Sequence, residues 1–145
     1  MADYYFSMNH NLVLQHCKKI IKDKKILRII GQYLNRVEVQ DGEHFLITKG
    51  IPKGCPLSPL MGALMLKPLD DSLPKDVFYA RYMDDWVIKV KTRSQLRRVI
   101  KIMHKVMHDL KFKLALSKTY IGKISNGFDF FGYRFNHEGI ISLAQ

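Results

Sequence analysis

The sequence predicts an α+β fold in which helices pack on one face of an antiparallel β-sheet. Helical and extended patterns follow one another in the order helix, hairpin, loop and helix, hairpin, helix and final strands, a mixture typical of this class. The length of 145 residues, of which 47% are apolar and 26% charged, suits one globular domain with a sizeable core. We therefore expect a single domain without repeats or linkers.

Two helices and a hairpin are predicted in the first third of the chain. Apolar residues recur at helical spacing over residues 10–34, and a polar break around Asp23 divides them into two helices with Asp23 as the N-cap of the second. Residues 37–48 alternate loosely between apolar and polar side chains around Asp41-Gly42, a favoured two-residue hairpin turn.

A stiff loop and a helix are predicted next. Three prolines and two glycines fall within residues 50–59, and the prolines exclude regular strand pairing. Ser58 is expected to cap the following helix, with Pro59 at its first position and an end near Leu69. Such a loop can bring backbone N–H groups to a phosphate or a nucleic-acid strand, although a purely structural loop fits the pattern equally well.

A β-hairpin, a long helix and a β-rich end are predicted in the second half of the chain. Apolar, β-prone runs on both sides of residues 82–85 favour a hairpin with those residues at its tip. A helix with an apolar stripe is expected from Thr92 or Ser94 to about Leu110, and its basic face is most simply a solvated surface. Residues 112–142 are predicted to be β-rich and are punctuated by glycines.

The charge balance indicates a polyanionic partner. Twenty-four lysine and arginine residues against thirteen aspartate and glutamate residues leave a formal net charge of +11. Such a surface attracts nucleic acids at long range. A basic but inert surface is the alternative. An anionic membrane is disfavoured, because no strongly basic amphipathic helix with bulky apolar anchors is free for that role.

The sequence favours a cytoplasmic location. No apolar run approaches the roughly 18 residues that a membrane span needs. The first residues lack the basic and apolar segments of a signal peptide. Cys17 and Cys55 are too few and too far apart for a disulfide framework or a zinc site. We therefore expect a reducing compartment.

Two adjacent carboxylates, Asp84 and Asp85, are the most informative chemical feature. Like charges repel at close range, so a divalent cation makes such a pair easier to tolerate, and oxygen ligands suit Mg²⁺. A solvent-exposed turn without a role is the alternative. Tyr82 and Met83 argue against it, because they are bulky where a simple turn would prefer Asn or Gly. The feature points to phosphoryl transfer on a nucleotide.

Five segments resemble, in the right order, the blocks of reverse transcriptases of the bacterial, group II intron-like and retron type, enzymes of mobile elements. Residues 82–85 (YMDD) resemble the catalytic box, residues 50–60 the "G-x-P-x-G-x-x-x-S-P-L" block, and residues 128–133 the "F-x-F-L-G-Y" primer-grip block. Residues 4–10 resemble the end of the first palm block, and residues 117–119 resemble the lysine-bearing block. The resemblance covers nearly the whole chain. It implies the palm of an RNA-directed DNA polymerase, with a ferredoxin-like or RRM-like sheet.

The resemblance also implies a role for each matched residue. Asp84 would bind catalytic Mg²⁺ or Mn²⁺, Asp85 would support that site, and Lys118 would act near the triphosphate. The implied nucleotide-binding residues are Tyr5, Lys53, Gly54, Tyr82 and Met83, and the implied primer-grip residues are Phe130, Phe131 and Gly132. The implied partners are an RNA or DNA template-primer and a deoxynucleoside triphosphate, with no membrane.

Two departures from the family pattern affect these expectations. Lys53 stands where many members carry Gln, and a lysine cannot accept a hydrogen bond. In the family, the first metal-binding Asp lies five residues before the aromatic residue that Tyr5 matches. In this sequence that position would be residue zero, immediately before Met1. Asp3 does not replace it, because Asp3 is three residues out of register. We therefore expect a single palm domain over residues 1–145, truncated at its N-terminus and without fingers or thumb.

The departures leave three interpretations open. A palm with one carboxylate pair would hold its metal weakly and be inactive in isolation, and its exposed strand edge would invite a homo-oligomer or a partner that supplies the missing segment. A non-catalytic, oligomeric remnant that binds nucleic acid is the alternative function. A fragment of a longer polymerase with no role of its own is the third interpretation.

Overall fold

The computed structural model describes residues 1, 3–52 and 54–143. Five α-helices and seven β-strands occur in this part of the chain. The helices are α1 (Tyr4–Ser7), α2 (His10–Ile20), α3 (Lys24–Leu34), α4 (Leu57–Ser72) and α5 (Arg93–Asp109). The strands are β1 (Val37–Gln40), β2 (Glu43–Leu46), β3 (Phe78–Tyr82), β4 (Asp85–Lys89), β5 (Phe128–Phe130), β6 (Tyr133–Phe135) and β7 (Ile140–Leu143).

The predicted α+β class with antiparallel strands is confirmed. The strands are divided among three small sheets: β1 pairs with β2, β3 with β4, and β6 lies between β5 and β7. All four pairings are antiparallel. The strands were expected to form one sheet, but they form three separate sheets.

The core is built mainly by the helices. Helices α2 and α4 pack together, α3 packs on α2, and α5 packs on α4. The largest fully buried side chains are Met8, Val13, Cys17, Leu34, Ile51, Met61, Met65, Leu66 and Leu69. The hairpin β3–β4 is half-buried at its central residues, and Trp86 packs against the helical core. One side of this hairpin is therefore fixed by the helices.

Local sequence signals set several element boundaries as predicted. The side chain of Asp23 accepts the backbone N–H groups of Lys25, at 2.7 Å, and of Ile26, which confirms it as the N-cap of α3. Asp41 and Gly42 have φ values of 54° and 83° and form the predicted hairpin turn between β1 and β2. Helix α5 begins with a reciprocal capping box, which satisfies two backbone donors at its first turn.

The start and the end of α4 differ from the prediction. The helix begins at Leu57, and Ser58 does not cap it. The Ser58 hydroxyl instead donates to the carbonyl of Pro52 and lies 2.8 Å from the hydroxyl of Tyr33. Pro59 is the third residue of the helix, still within the first turn, whose N–H groups have no intrahelical partner. The helix continues through Pro68 to Ser72, three residues past the expected end at Leu69.

The segment after α5 contains less strand than expected. Residues 112–127 are irregular apart from two 3₁₀ turns, Leu116–Lys118 and Ile124–Asn126, and the strands begin only at Phe128. The prediction of a β-rich segment over residues 112–142 is therefore correct only for its second half.

Within the described residues, every helix is too short or too polar to cross a membrane.

Candidate active site

The two predicted carboxylates lie at a tight hairpin turn. Tyr82 pairs with Asp85 in the register of β3 and β4, so Met83 and Asp84 form a two-residue turn and Asp85 is the first residue of β4. Met83 has a φ of 53°, a left-handed conformation that is uncommon for residues other than glycine. The strands therefore extend closer to the turn than the sequence indicated. The two carboxylates also differ in solvent exposure. Asp85 is exposed, whereas Asp84 is 28% exposed.

A positive group lies beside one of these carboxylates. The α-amino group of Met1 is 3.4 Å from Oδ2 of Asp84. Met1 and Asp84 also line the same cavity. A cation is thus already in contact with the carboxylate that the resemblance assigns to metal binding.

Tyr5 lies against the hairpin turn. Its hydroxyl is 3.9 Å from the sulfur of Met83. Burial raises the pKa of Tyr5, and the negative charge of Asp84 raises it further. The neighbouring Tyr4 is buried and donates a 2.5 Å hydrogen bond to the carbonyl of Gly62 in α4. A Cβ at Gly62 would lie 3.2 Å from the Tyr4 ring, so the small residue lets α1 approach α4 closely.

The loop that begins at Gly50 is fastened to the segment that carries Tyr5. The N–H of Gly50 donates to the carbonyl of Met8 at 2.7 Å, and the N–H of Ile51 donates to the carbonyl of Tyr5 at 2.8 Å. His10 is buried, and its Nε2 lies 2.7 Å from the carbonyl oxygen of Gly50. Two of the matched segments, residues 4–10 and 50–52, are therefore joined through their backbones.

Two further nucleotide-binding residues are predicted at positions 53 and 54. Lys53 lies outside the described residues. Gly54 is exposed and has a φ of 79°, and a Cβ built there would have open space around it. The structure therefore does not bring Gly54 into contact with the hairpin turn.

An open cavity of about 640 Å³ joins the carboxylates to the later matched segments. It is lined by β4 and by parts of α5 and of residues 114–130. Asp84, Asp85, Lys118 and Phe130 all line it. The predicted catalytic lysine and part of the predicted primer grip thus share one groove with the carboxylate pair.

The predicted primer-grip turn also touches the hairpin β3–β4. The rings of Tyr82 and Phe131 meet edge to face, with their centroids 4.4 Å apart. Phe131 and Gly132 have φ values of 53° and 78° and form the two-residue turn between β5 and β6. The Phe131-Gly132 turn therefore contacts the last residue of β3, next to the Met83-Asp84 turn.

Three residues that the sequence did not indicate support the carboxylate turn. Arg81 forms two hydrogen bonds with the carboxylate of Asp70 in α4, at 2.8 and 2.5 Å, and Tyr79 donates to the same carboxylate at 2.7 Å. A third bond runs from Arg81 to the carbonyl of Met83. Tyr79 and Arg81 are two residues apart on β3 and share a face, but no local pattern pointed to their partner on α4.

The charge state of Asp70 follows from these contacts. Burial acts to raise the pKa of its carboxyl, but the hydrogen bonds from Arg81 and Tyr79 outweigh burial and hold the pKa below its usual value. The hydrogen bond to Asp70 in turn raises the pKa of Arg81. Asp70 and Arg81 therefore form a charged pair at neutral pH.

The donor chemistry of the turn suits a hard divalent cation, but the donors are few. Asp84 and Asp85 offer carboxylate oxygens, the ligand type that Mg²⁺ prefers. No cluster of three or more histidine, cysteine or acidic side chains with metal-binding geometry occurs among residues 1, 3–52 and 54–143. The two carboxylates could therefore supply only some of the ligands of such an ion, and water or substrate oxygens would have to supply the others.

One family model matches most of the chain. The family model described as reverse transcriptase (RNA-dependent DNA polymerase) matches residues 1–135. The protein YkfC of Escherichia coli K12 is 24% identical to this chain over an alignment that covers 92% of the chain and 45% of YkfC. The chain therefore spans less than half the length of this curated relative.

Proposed function

The chain belongs to the reverse transcriptase (RNA-dependent DNA polymerase) family, and we propose that it forms the palm of such a polymerase. The proposed activity is template-directed DNA synthesis from deoxynucleoside triphosphates. The observation that carries the proposal is the meeting of Tyr5, Asp84 and Lys118 around one hairpin turn and one groove. We assign residues 1–145 to a single palm domain, with residues 112–142 as its primer-grip region.

The proposed roles follow the chemistry of each side chain. Asp84 and Asp85 would hold Mg²⁺ or Mn²⁺, which when bound stabilises charge on the oxygens of a phosphoryl transfer. Tyr5 and Met83 would form the floor beneath the incoming sugar, and Lys118 would place positive charge near the triphosphate. The remaining assignments are Lys53, Gly54 and Tyr82 for nucleotide binding and Phe130, Phe131 and Gly132 for the primer end.

The carboxylate pair alone supports weak metal binding and no independent activity. Both carboxylates belong to one hairpin, whereas placing two metal ions on a reacting phosphate needs ligands from more than one direction. We therefore propose that the 145-residue chain does not extend primers by itself, and that a carboxylate from another polypeptide segment completes the site.

The free edge of β4 is where we propose that such a segment binds. One edge of β4 pairs with β3, and the strand also lines the open groove. Within the described residues, no strand pairs with this second edge. An unpaired edge accepts strands from other chains, so a second copy or a separate chain could supply the segment. A chain that sediments as a monomer at all concentrations would exclude the second copy.

A non-catalytic nucleic-acid-binding protein is the second candidate function. The net charge of +11 supports it, since charge neutralisation of phosphates requires no metal and no complete active site. This candidate predicts binding with little sequence preference, whose logarithm falls linearly with the logarithm of the salt concentration.

Primer extension and binding to the same RNA–DNA template-primer test these proposals together. We expect salt-dependent binding by the wild-type chain and by Asp84→Asn, and no nucleotide incorporation with Mg²⁺ or Mn²⁺. Incorporation that disappears in Asp84→Asn but persists in Asp71→Asn would overturn the proposed inactivity and support the polymerase directly. Undetectable binding at low salt would remove both candidate functions for the isolated chain.

A further inference from the structure

The side chain of Arg81 joins three elements of the candidate site. Its Nε and Nη2 donate to the two carboxylate oxygens of Asp70 on α4, at 2.8 and 2.5 Å. Its Nη1 donates to the backbone carbonyl of Met83 at 2.8 Å. One planar guanidinium group thus links the helix α4, the strand β3 and the turn that carries Asp84.

The orientation of this guanidinium group is fixed from several sides. The two bonds to Asp70 form a bidentate pair, the geometry in which an arginine–carboxylate contact is strongest. Tyr79 donates to the same carboxylate at 2.7 Å. The side chain of Arg81 is 14% exposed and that of Asp70 is 31% exposed, so both are partly shielded from water. The third donor, Nη1, is therefore held in place when it meets the Met83 carbonyl.

The bond to the Met83 carbonyl acts directly on Asp84. That carbonyl belongs to the peptide group that joins Met83 to Asp84, and a peptide group is planar. Holding its oxygen fixes the plane and with it the direction in which the Asp84 Cα and side chain leave the turn. Met83 also has a φ of 53°, a conformation that persists in a non-glycine residue only where its surroundings enforce it.

We propose that Asp70 and Arg81 are positioning residues that hold the Met83–Asp84 peptide plane and thereby aim the Asp84 carboxylate into the groove along β4. The inference deepens the proposed function, on which it rests for the identity of the bound ion. The orientation of the peptide plane itself is independent of any ion.

The arginine is needed for this role, because a lysine could keep the ion pair but not the whole network. An ammonium group is a compact point charge on a flexible stem, whereas the guanidinium fork presents its donors in a fixed plane. Arg81→Lys therefore retains a positive charge for Asp70 and loses the donor to the Met83 carbonyl. Asp71→Asn is the matched control, because Asp71 adjoins Asp70 on α4 but forms an exposed ion pair with Lys67.

The test is an NMR measurement on the full chain labelled with ¹³C and ¹⁵N. In the wild type we expect a scalar coupling across the hydrogen bond between Nη1 of Arg81 and the Met83 carbonyl carbon. In Arg81→Lys the order parameter of the Asp84 amide should fall from about 0.85 to below about 0.6, with no such change in Asp71→Asn. A wild type without the coupling, or a folded Arg81→Lys with an unchanged Asp84 amide, would overturn the proposal. If the variant does not fold, the presence or absence of the coupling in the wild type still tests whether Arg81 holds the Met83 carbonyl.

A Mn²⁺ titration followed by electron paramagnetic resonance separates this proposal from the proposed function. We expect Arg81→Lys to weaken Mn²⁺ binding about tenfold, the lower end of what loss of an outer-shell partner costs a metal site. If the NMR changes occur but neither the wild type nor Asp84→Asn binds Mn²⁺, the positioning role stands and the proposed metal site fails. If the wild type binds Mn²⁺ through Asp84 and Arg81→Lys binds it equally well with an ordered turn, the positioning role fails and the metal site stands.

Discussion

Gly50 shows how one backbone conformation joins two parts of the candidate site. Its φ is 84°, and a Cβ there would lie 2.8 Å from the carbonyl oxygen of Phe6. The same residue and its neighbour Ile51 donate their N–H groups to the segment that carries Tyr5. A side chain at this position would therefore strain the backbone and push the loop away from α1.

Gly50→Ala should destabilise the protein by about 1–3 kcal/mol, the usual cost of a residue forced into a sparsely populated conformation. Urea denaturation gives the free energy of unfolding. Gly31→Ala is the matched control, and it should change the free energy of unfolding in the opposite direction. Gly31 lies inside α3 with open space around its Cα, so alanine should stabilise the helix by about 0.5–1 kcal/mol. Equal stability of Gly50→Ala and the wild type would contradict the account.

Ser58 marks a limit of what a local sequence pattern predicts. A serine before a helix usually accepts an N–H bond as a cap. Here the Ser58 hydroxyl is buried and donates to the carbonyl of Pro52, and the hydroxyl of Tyr33 on α3 lies beside it. Tyr33 is 25 residues away in the sequence, so no local rule could identify this competing contact.

Substitutions at Ser58 should separate a capping role from the donor role. Ser58→Ala should cost about 1 kcal/mol of unfolding free energy, the usual net contribution of a hydrogen bond, because it removes the donor to the partly buried carbonyl of Pro52. Ser58→Asp should cost more, since an ionised carboxylate accepts hydrogen bonds but cannot donate one to Pro52. Urea denaturation at neutral pH measures both. A Ser58→Asp variant as stable as the wild type would contradict the donor role and indicate that the Ser58 hydroxyl caps the helix.

At the scale of elements, the sequence predicts best those features that are decided by nearby residues. The N-cap Asp23, the turn Asp41-Gly42 and the position of α5 depend on contacts within a few residues, and all three are confirmed. The pair Asp70–Arg81 joins a helix to a strand across 11 residues, and its two members carry no pattern that links them. Packing between elements decides such contacts, which is why the sequence did not reveal them.

The pair between α4 and β3 should make stability depend on pH. The pKa of Asp70 is lower in the folded chain than the value of about 3.9 expected when unfolded. Its contribution to stability is therefore present above about pH 4 and is lost as the pH falls through the folded pKa. The difference in unfolding free energy between the wild type and Asp70→Asn should be largest near neutral pH and shrink below about pH 4. A difference that grows on acidification would contradict this assignment.

At the scale of the whole molecule, the helical core fixes one side of the hairpin β3–β4 and leaves the groove along β4 open. The matched segments at residues 4–10, 82–85, 117–119 and 128–133 meet around this hairpin or its groove although they are far apart in the sequence. The family resemblance implies related roles for these segments, whereas composition and periodicity indicated only the α+β class and a basic surface. The division of the strands into three small sheets was not predicted, because strand pairing depends on contacts between distant segments.

We propose above all that the Asp84–Asp85 turn holds a divalent cation in the groove shared with Lys118. A Mn²⁺ titration of the full chain by electron paramagnetic resonance, with Asp84→Asn and Asp71→Asn in parallel, tests it most directly. We expect weak binding by the wild type, a clear loss of affinity in Asp84→Asn and no change in Asp71→Asn, whose carboxylate belongs to an exposed ion pair with Lys67. Equal Mn²⁺ affinity in all three proteins would contradict it.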